Sequence, residues 1–267
     1  MNIENIETAS NSPSPYAGGI TIKSRKEMDA MRRAGAIVGA TLTLLEESVR
    51  PGIRTRDLDA IAYQEILRLG GKPAFKGYRG FPATLCTSVN EEIVHGIPGD
   101  RQLQEGDLIK MDVGAVVDGF IGDAAITVAV GRVSDEAKAL MDVTRRALRE
   151  GINAARNGAR VGDIGSAVQT FAETQGYSVV REYVGHGVGR FLHEDPQVPN
   201  YGTAKKGPLL RKGMTIAIEP MVNIGDWHTR VLEDNWTIVT MDGSLSSHFE
   251  HTIAITDGEP EVLTAQR

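Results

Sequence analysis

The sequence predicts an α+β fold in which helices cover the outside of a strongly bent, mostly antiparallel sheet. Three observations support this fold class. Residues 109–130 carry a strong hairpin pattern, amphipathic helical stretches precede that hairpin, and the order of helices and strands then begins again. A unit of this length that occurs only twice indicates one domain built from two related halves.

The beginning of the chain differs in composition from the rest. Residues 1–19 are rich in Ser, Asn, Pro and Gly and poor in bulky apolar side chains, so we expect them to form a mobile tail. Ordered structure is expected from Ile20, and residues 20–267 are predicted to form a single domain. At 267 residues the chain is long enough to bury a sizeable core.

Two helices are predicted before the hairpin. Ser24 and Glu27 match a capping box, and the apolar residues after them recur at spacings of three and four as far as Pro51-Gly52. Proline and glycine at that point end the first helix. Thr55 is expected to cap a second amphipathic helix, which ends at Gly70-Gly71.

The hairpin is predicted to turn at Asp118-Gly119, which lies between β-branched runs. Gly and Asp tolerate the positive φ angles that a two-residue turn requires. If these residues form the loop, Asp123 lies opposite Gly114, because side chains alternate between the two faces of a strand. Asp112 then lies on the same face as a diagonal neighbour of Asp123, and their carboxylates can converge on ions between them. Without a cation they would repel each other on a face otherwise built for burial.

The second half of the chain repeats the pattern of the first. A helix is predicted to open at Ser134, and another is predicted over residues 163–175. One constant shift in numbering aligns two sets of identical residues: Arg50, Gly52, Arg54, Asp57 and Gly70 with Arg156, Gly158, Arg160, Asp163 and Gly176. A strand-like run follows from Met214, and another closes the chain.

Composition excludes several classes of function. Hydrophobic residues make up 41% of the chain and charged residues 24%, as in an ordinary soluble globular protein. The net charge of −6 gives no basic footprint for nucleic acid or an anionic membrane, so neither partner is expected. Cys86 is the single cysteine, which excludes an internal disulfide and a cysteine zinc site and fits a reducing compartment. A cytoplasmic location is therefore expected.

Two further stretches place polar side chains in unusual surroundings. Residues 186–193, HGVGRFLH, are broken by glycines and are predicted to be a loop that presents two imidazoles, His186 and His193. Glycines let a backbone approach a ligand closely. Glu219 interrupts an apolar strand, and Glu250 stands just before another. A carboxylate in such apolar surroundings needs partners.

Four carboxylates and one imidazole make up a candidate site: Asp112, Asp123, His186, Glu219 and Glu250. This ligand set suits Mn²⁺, Fe²⁺ or Co²⁺ better than structural zinc, which usually recruits thiolates. Four converging carboxylates carry more charge than one divalent ion can neutralise. The sequence therefore predicts a dinuclear metal site, of the kind that lowers the pKa of a bridging water and stabilises an oxyanion.

The sequence closely resembles the type I methionine aminopeptidases, metallopeptidases of the pita-bread fold, from about Ile20 to the C-terminus. Five segments carry the resemblance: GYRGFPATLCTSVNEEIVHGIP, MDVGAVVDGFIGD, GHGVGRFLHEDPQVPNYG, IEPM and FEHTIAIT. In this order and spacing they are highly specific. The resemblance implies a metallopeptidase domain that removes the initiator methionine from nascent proteins when the second residue is small.

The resemblance also implies roles for individual residues. It places the five candidate residues on the family's metal ligands, with Asp123 and Glu250 in the bridging positions and Glu219 as the candidate proton carrier. His95 and His193 match histidines that contact the substrate amide and the tetrahedral intermediate. The residues implied to line the methionine pocket are Tyr78, Phe81, Cys86, Leu192 and Trp236.

Two positions depart from a familiar bacterial member of this family. Leu192 stands where that member has Phe, which is expected to reshape the pocket wall. Gly114 stands where it has Thr, beside Asp112, and is expected to change how substrate or a nearby water is held. Neither residue is a ligand, so their effect on specificity stays open.

Two alternative functions remain at this point. An Xaa-Pro aminopeptidase or prolidase of the same fold usually carries a large extra N-terminal domain and a further histidine cluster, for which we expect no room in this chain. A non-catalytic binding protein on this fold would have lost ligands, whereas all five are present. The expected partners are the N-termini of nascent polypeptides, and a monomer is expected. The choice among Co²⁺, Mn²⁺ and Fe²⁺ and any contact with the ribosome stay open.

Overall fold

The computed structural model describes residues 19–266. Its helices are α1 (Arg25–Ser48), α2 (Thr55–Arg68), α3 (Asp135–Ala154) and α4 (Val161–Thr174), and a short 3-10 helix spans Tyr78–Gly80. Its strands are β1 (Lys72–Pro73), β2 (Leu85–Val89), β3 (Glu92–Val94), β4 (Leu108–Val117), β5 (Phe120–Ala129), β6 (Ser178–Val179), β7 (Gly185–Gly187), β8 (Glu194–Val198), β9 (Thr215–Ile218), β10 (Met221–Asn223), β11 (Thr229–Val231), β12 (Ile238–Thr240), β13 (Ser246–His248), β14 (His251–Ala254) and β15 (Glu261–Val262). Within the described range, no helix combines the length and the apolar character needed to cross a membrane.

The strand pairings match the predicted fold class. Every pairing between these strands is antiparallel. The strands divide into four sheets instead of one bent sheet. β4 pairs with β1, β2 and β5, and the five-stranded sheet has the order β15-β14-β9-β7-β8. The two smaller sheets have the orders β13-β10-β6 and β11-β12-β3.

The first two helices begin differently from each other. The Ser24 hydroxyl accepts a hydrogen bond from the Glu27 N–H at 3.4 Å, and the Glu27 carboxylate accepts one from the Ser24 N–H at 2.9 Å, so the predicted capping box is confirmed. Thr55 is the first residue of α2, and Arg54 is its cap. The prediction for Thr55 was wrong because its hydroxyl bonds to Gly99 instead, accepting from the N–H at 2.9 Å and donating to the carbonyl at 3.1 Å.

The predicted repeat is present in the backbone. Helices α2 and α4 each contain 14 residues. Before α2 the Gly52 N–H donates to the Leu103 carbonyl at 2.7 Å, and before α4 the Gly158 N–H donates to the Leu210 carbonyl at 2.9 Å. Both glycines have positive φ, 88° and 90°, which glycine adopts without steric cost. The two halves therefore enter their second helices through the same turn.

The β4–β5 hairpin has the predicted register. Val117 faces Phe120, and Gly114 faces Asp123. Asp118 and Gly119, at the turn, have φ angles of 50° and 77°, as a type I′ turn requires at both positions. The prediction for the hairpin is confirmed.

Helix α1 packs very closely on this hairpin and on the C-terminal segment. A Cβ atom added at Gly122 would lie 2.8 Å from the Gly35 nitrogen, and one added at Gly35 would lie 2.3 Å from the Leu263 carbonyl oxygen. Both contacts are with backbone atoms, which cannot rotate away. Glycine at position 122 therefore allows α1 to approach β5, and glycine at position 35 allows α1 to approach the C-terminal segment.

We expect Gly35→Ala to lower the free energy of unfolding by about 1–3 kcal/mol, since the added methyl group overpacks a closed interface. Urea unfolding of the metal-loaded protein measures this change. Gly99→Ala is the control, because nothing lies within 4 Å of a Cβ atom at Gly99, and it should change stability by less than about 0.5 kcal/mol. Equal stabilities of the two variants would contradict this account of the α1 interface.

Candidate metal centre

A cavity of about 460 Å³ gathers all the site residues that the sequence predicts. Its walls come from β4, β5 and β7, from the segment before β8 and from the strand breaks after β9 and β13. The predicted residues that line it are His95, Asp112, Asp123, His186, His193, Glu219 and Glu250, together with Tyr78, Phe81, Cys86, Leu192 and Trp236. Residues far apart in sequence thus share one concave site.

Asp123 and Glu250 are held side by side by backbone hydrogen bonds. The Glu250 N–H donates to the Ala125 carbonyl at 2.9 Å, and the Ala125 N–H donates back to the Glu250 carbonyl at 3.4 Å. The Thr252 hydroxyl accepts from the Asp123 N–H at 3.1 Å and donates to the Asp123 carbonyl at 2.7 Å. These bonds join β5 to the residues at the start of β14, so the carboxylates of Asp123 and Glu250 project from neighbouring segments.

Glu219 lies in a strand break and not inside a strand as predicted. β9 ends at Ile218, and β10 begins at Met221. Pro220 has no N–H and cannot continue the ladder of hydrogen bonds. The Glu219 carbonyl accepts a hydrogen bond from the Asn200 side-chain amide at 3.0 Å. The break turns the Glu219 side chain toward the cavity, where it is 13% exposed.

His186 lies in strand β7, whereas the sequence predicted a loop from residue 186 to residue 193. A Cβ atom at Gly185 would lie 2.4 Å from the Ala217 carbonyl oxygen, and one at Gly187 would lie 2.3 Å from the Asp195 carbonyl oxygen. These glycines therefore allow β7 to fit between two neighbouring strands, and their close contacts are with protein backbone. The irregular segment covers only residues 188–193.

The polar atoms converge without a protein donor among them. Asp123, His186 and Glu250 each offer one potential ligand atom, and these atoms all lie within 4.8 Å of one another. His186 Nε2 is 3.7 Å from Asp123 Oδ2 and 3.6 Å from Glu219 Oε1. Asp112, Asp123 and Glu250 each have a buried carboxylate oxygen with no hydrogen-bond partner within residues 19–266. Buried oxygens of this kind need a cation or a proton.

The tautomer of His186 also fits a metal ion. Its Nδ1 lies 2.8 Å from the Gly187 carbonyl oxygen, which only accepts hydrogen bonds, so Nδ1 carries the proton. Burial lowers the pKa of His186 to about 4, so the ring is neutral at pH 7. Nε2 then presents a lone pair to the carboxylates of Asp123 and Glu219. Acceptors that face each other in this way need a metal ion or a proton between them.

The raised pKa values of the four acids also indicate that the site binds a cation. Burial raises the pKa of Asp112 to about 7. Burial and the neighbouring carboxylates raise the pKa of Asp123, Glu219 and Glu250 well above the usual range. By themselves these groups would retain protons at neutral pH. A divalent ion reverses this by stabilising the carboxylate form.

His95 and His193, the two histidines predicted to contact substrate, are neutral and held in place. His95 has a left-handed φ of 61°, and burial lowers its pKa to about 4. The rings of His95 and Trp236 are nearly perpendicular, with centroids 6.4 Å apart. His193 Nδ1 shares a hydrogen bond of 2.8 Å with the Tyr78 hydroxyl, and burial lowers the pKa of His193 as well. Tyr78 therefore orients His193 in addition to lining the cavity.

The predicted pocket wall is apolar and soft. Phe81 and Trp236 meet edge to face, with ring centroids 5.1 Å apart. Cys86 and Leu192 are 6% and 5% exposed, in the same apolar cluster. Burial raises the pKa of the Cys86 thiol well above its ordinary value, so this sulfur is uncharged. Aromatic rings and a neutral thiol provide the surface that suits a thioether.

Gly114 leaves room for an aromatic residue of the cavity wall. A Cβ atom at Gly114 would lie 2.7 Å from Phe75 Cε1 and 2.9 Å from Ala74 Cβ. Phe75 therefore occupies the space of the missing side chain, and it lines the cavity. The sequence prediction missed Phe75, because its contact with Gly114 joins β4 to the segment after β1 and leaves no local pattern.

Sequence reasoning also missed two other residues near the site. His248 is 1% exposed, its Nε2 lies 3.8 Å from Glu219 Oε2, and neither ring nitrogen has a hydrogen-bond partner in the described part of the chain. Its position two residues before Glu250 was the available signal. Tyr183 packs its ring edge on His95 at 5.9 Å between centroids, and no sequence pattern pointed to it.

Comparisons with known proteins identify the family of the chain. The sequence model of metallopeptidase family M24 matches residues 29–257. The chain is 51% identical to methionine aminopeptidase 1 of Bacillus subtilis over 245 residues, which cover 92% of this chain and 99% of that protein. It is 50% identical to the methionine aminopeptidase of Clostridium acetobutylicum over 246 residues, which cover 92% of this chain and 98% of that protein.

Solved structures show the same relationship. The crystal structure of methionine aminopeptidase from Thermotoga maritima matches with a TM-score of 0.91 at 48% identity, over 92% of this chain and 99% of that one. Prolidase from Pyrococcus furiosus matches with a TM-score of 0.73 at 23% identity, over 92% of this chain and 66% of that one, and this shows the shared pita-bread fold alone. The chain is a metal-dependent hydrolase, and it belongs to the methionine aminopeptidases of metallopeptidase family M24.

Proposed function

We propose that the protein hydrolyses the bond after the N-terminal initiator methionine of nascent polypeptides when the second residue is small. One observation carries this proposal: a set of buried metal-ligand side chains and an apolar pocket of rings and sulfur line the same cavity. The pocket suits a methionine side chain, and the ligand set suits the amide bond next to it. The names of the Bacillus subtilis and Clostridium acetobutylicum relatives support the same activity.

The proposed cofactor is a pair of divalent ions of the Mn²⁺, Fe²⁺ or Co²⁺ class. They would be held by Asp112, Asp123, His186, Glu219 and Glu250, with Asp123 and Glu250 shared between the two ions. Four converging carboxylates, three of them with an unpaired buried oxygen among the described residues, and a neutral imidazole support this assignment. When bound, such ions supply Lewis acidity toward the scissile carbonyl and lower the pKa of water.

The chain's own residues would hold protons and orient the substrate. Glu219 faces the cavity from a strand break, where its carboxylate is placed to take up and release a proton beside the scissile amide. His95 and His193 are neutral, so each can donate one hydrogen bond to the amide and its developing oxyanion. Tyr78 restricts rotation of the His193 ring.

We also propose the cellular setting from composition and family. The single metallopeptidase domain over residues 20–267 would act as a monomer in the cytoplasm on emerging N-termini. The net charge of −6 supports no nucleic-acid or membrane partner. Contact with the ribosome is a hypothesis that co-sedimentation would test. The predicted tail over residues 1–19 lies outside the described residues except for Gly19.

Three tripeptides that differ only in the first residue, with alanine second, test the pocket. We expect methionine to give the highest kcat/KM and norleucine to lose no more than about tenfold, the size of one weak sulfur contact. Leucine branches too early for a packed pocket and should be cleaved far more slowly. Equal rates for leucine and methionine would overturn the proposed function, and so would cleavage of a methionine peptide with proline second when the alanine peptides are not cleaved.

A further inference from the structure

A buried ion pair lies outside the cavity, at the start of the described chain. Lys23 Nζ is 2.9 Å from Glu194 Oε2, and the two side chains are only 4% and 3% exposed. Neither residue is among those that line the cavity. Buried ion pairs add little net stability, because desolvation of both charges offsets their attraction. This pair therefore needs another explanation than stability alone.

The Glu194 carboxylate accepts four hydrogen bonds from described residues, two at each of its oxygens. Oε2 accepts from Lys23 and, at 2.8 Å, from the Thr21 hydroxyl. Oε1 accepts from the backbone N–H of Arg190 at 2.8 Å and of Phe191 at 3.2 Å. One carboxylate oxygen thus holds two consecutive N–H groups of the irregular segment 188–193.

Segment 188–193 also contains two of the residues that line the cavity. Leu192 and His193 follow directly after the two N–H groups and line the cavity. The Gly189 carbonyl accepts a hydrogen bond from the Ile121 N–H at 2.9 Å. Ile121 lies in β5, two residues before Asp123. The segment is therefore fixed between β5 and Glu194.

Lys23 is itself fixed by the main chain. Its N–H donates to the Gly213 carbonyl at 2.8 Å, and α1 begins two residues later. Gly189 allows the pair to approach the segment, since a Cβ atom there would lie 2.5 Å from Glu194 Oε1 and 2.7 Å from Lys23 Nζ. The pair and the segment are packed with no space for a side chain between them.

We propose that Glu194, held in place by Lys23, is a positioning residue that sets where Leu192 and His193 stand in the cavity. It does so by accepting the Arg190 and Phe191 N–H groups, and it touches no substrate. This inference rests on the proposed function, because the roles of the methionine pocket and of His193 belong to it. A displacement of about 1 Å at such a site lowers catalysis by as much as about a hundredfold.

Two double variants separate the acceptor from the charges. Lys23→Met with Glu194→Gln removes both charges but keeps an amide oxygen for the two N–H groups. Lys23→Met with Glu194→Met removes both charges and the acceptor at nearly the same side-chain length. For each protein, kcat and KM per metal-loaded site are measured with the methionine and norleucine tripeptides, together with metal content and unfolding temperature.

The Gln double variant is expected to keep kcat within about threefold of the unmodified protein. The Met double variant should lose about tenfold to a hundredfold in kcat at unchanged metal content. Its ratio of kcat/KM for methionine over norleucine should also shift by about threefold or more, since Leu192 moves with the segment. Loss of folded enzyme alone would lower the rates of cleavage of both substrates by the same factor and leave that ratio unchanged.

Gly189→Ala provides a second test with both charges present, in case the double variants do not fold. It should lower kcat and shift the same ratio, whereas Gly99→Ala should change neither. Equal kinetics for the two double variants, or for Gly189→Ala and the unmodified protein, would overturn the positioning role. Failure of the unmodified protein to cleave any methionine peptide would overturn the proposed function instead, so the two failures are distinguishable.

Discussion

Removal of divalent metal by chelation is expected to abolish peptide hydrolysis while the domain stays folded. The activity depends on charge that only a bound ion supplies, because the buried oxygens of Asp112, Asp123 and Glu250 have no protein donor among the described residues. The fold does not depend on the ion, since its main apolar cluster packs the helices on the sheets away from these oxygens. Turnover, metal analysis and circular dichroism after exhaustive chelation measure the three quantities.

Metal added back provides the control for this prediction. Mn²⁺, Fe²⁺ and Co²⁺, added separately to the chelated protein, should restore hydrolysis, and titration should saturate near two ions per chain. Full turnover with metal content near zero would contradict the metal dependence. Saturation at one ion would contradict the dinuclear assignment and leave the metallopeptidase assignment intact.

The metal-free protein should also become less stable as the pH rises. Burial raises the pKa of Asp112 from its ordinary value of 3.8 to about 7 in the folded protein. At a pH below the ordinary value, Asp112 is protonated in both the folded and the unfolded chain, so its burial does not reduce the free energy of unfolding. Between these two values the unfolded chain ionises while the folded site stays protonated, and stability is lost. Asp123, Glu219 and Glu250, with their raised pKa values, extend the loss to higher pH.

The hairpin could be predicted from sequence because its determinants are local. Asp118-Gly119 fixes the turn, the turn fixes the register, and the register places Asp123 opposite Gly114. The capping box at Ser24 is local in the same way. Each of these features depends on residues only a few positions apart.

Features that depend on distant segments were predicted less well. Thr55 bonds Gly99, 44 residues further along the chain, instead of capping its own helix. His186 lies in a strand because β8 and β9 flank it, and β9 begins far from it in sequence, at Thr215. The ligand set itself was found through charge and family resemblance, since spacing alone does not bring Glu219 close to His186.

The repeat reaches further in the structure than in the sequence identities. Gly106 and Gly213 have φ angles of 97° and 87°, and their N–H groups donate to the Val130 and Ile255 carbonyls, each at 2.9 Å. These matched turns lead into β4 and β9, which place Asp112 and Glu219. β5, which pairs with β4, places Asp123, and β14, which pairs with β9, places Glu250. Each half of the chain thus contributes two acids from corresponding positions.

Asp123→Asn is expected to lower kcat/KM by on the order of a thousandfold or more, together with metal content. Asp123 is 4% exposed and lies 3.7 Å from His186 Nε2. It projects beside Glu250, where we propose that it is shared between two ions. Asparagine keeps the shape and one oxygen but lacks the charge, so the remaining groups cannot neutralise two divalent ions. Steady-state kinetics and metal analysis of the purified variant measure both losses.

The loss of kcat/KM and of metal in Asp123→Asn should come from the change at the site and not from unfolding of the protein. Because burial disfavours the charged form of Asp123, the neutral amide should leave the unfolding temperature of the metal-free protein unchanged or raise it. Asp118→Asn is the matched control, since Asp118 is an exposed residue at the turn of the same hairpin whose partner is Arg33, and it should retain both metal and rate. An Asp123→Asn protein that binds as much metal as the Asp118→Asn protein, and turns over as fast, would remove Asp123 from the ligand set.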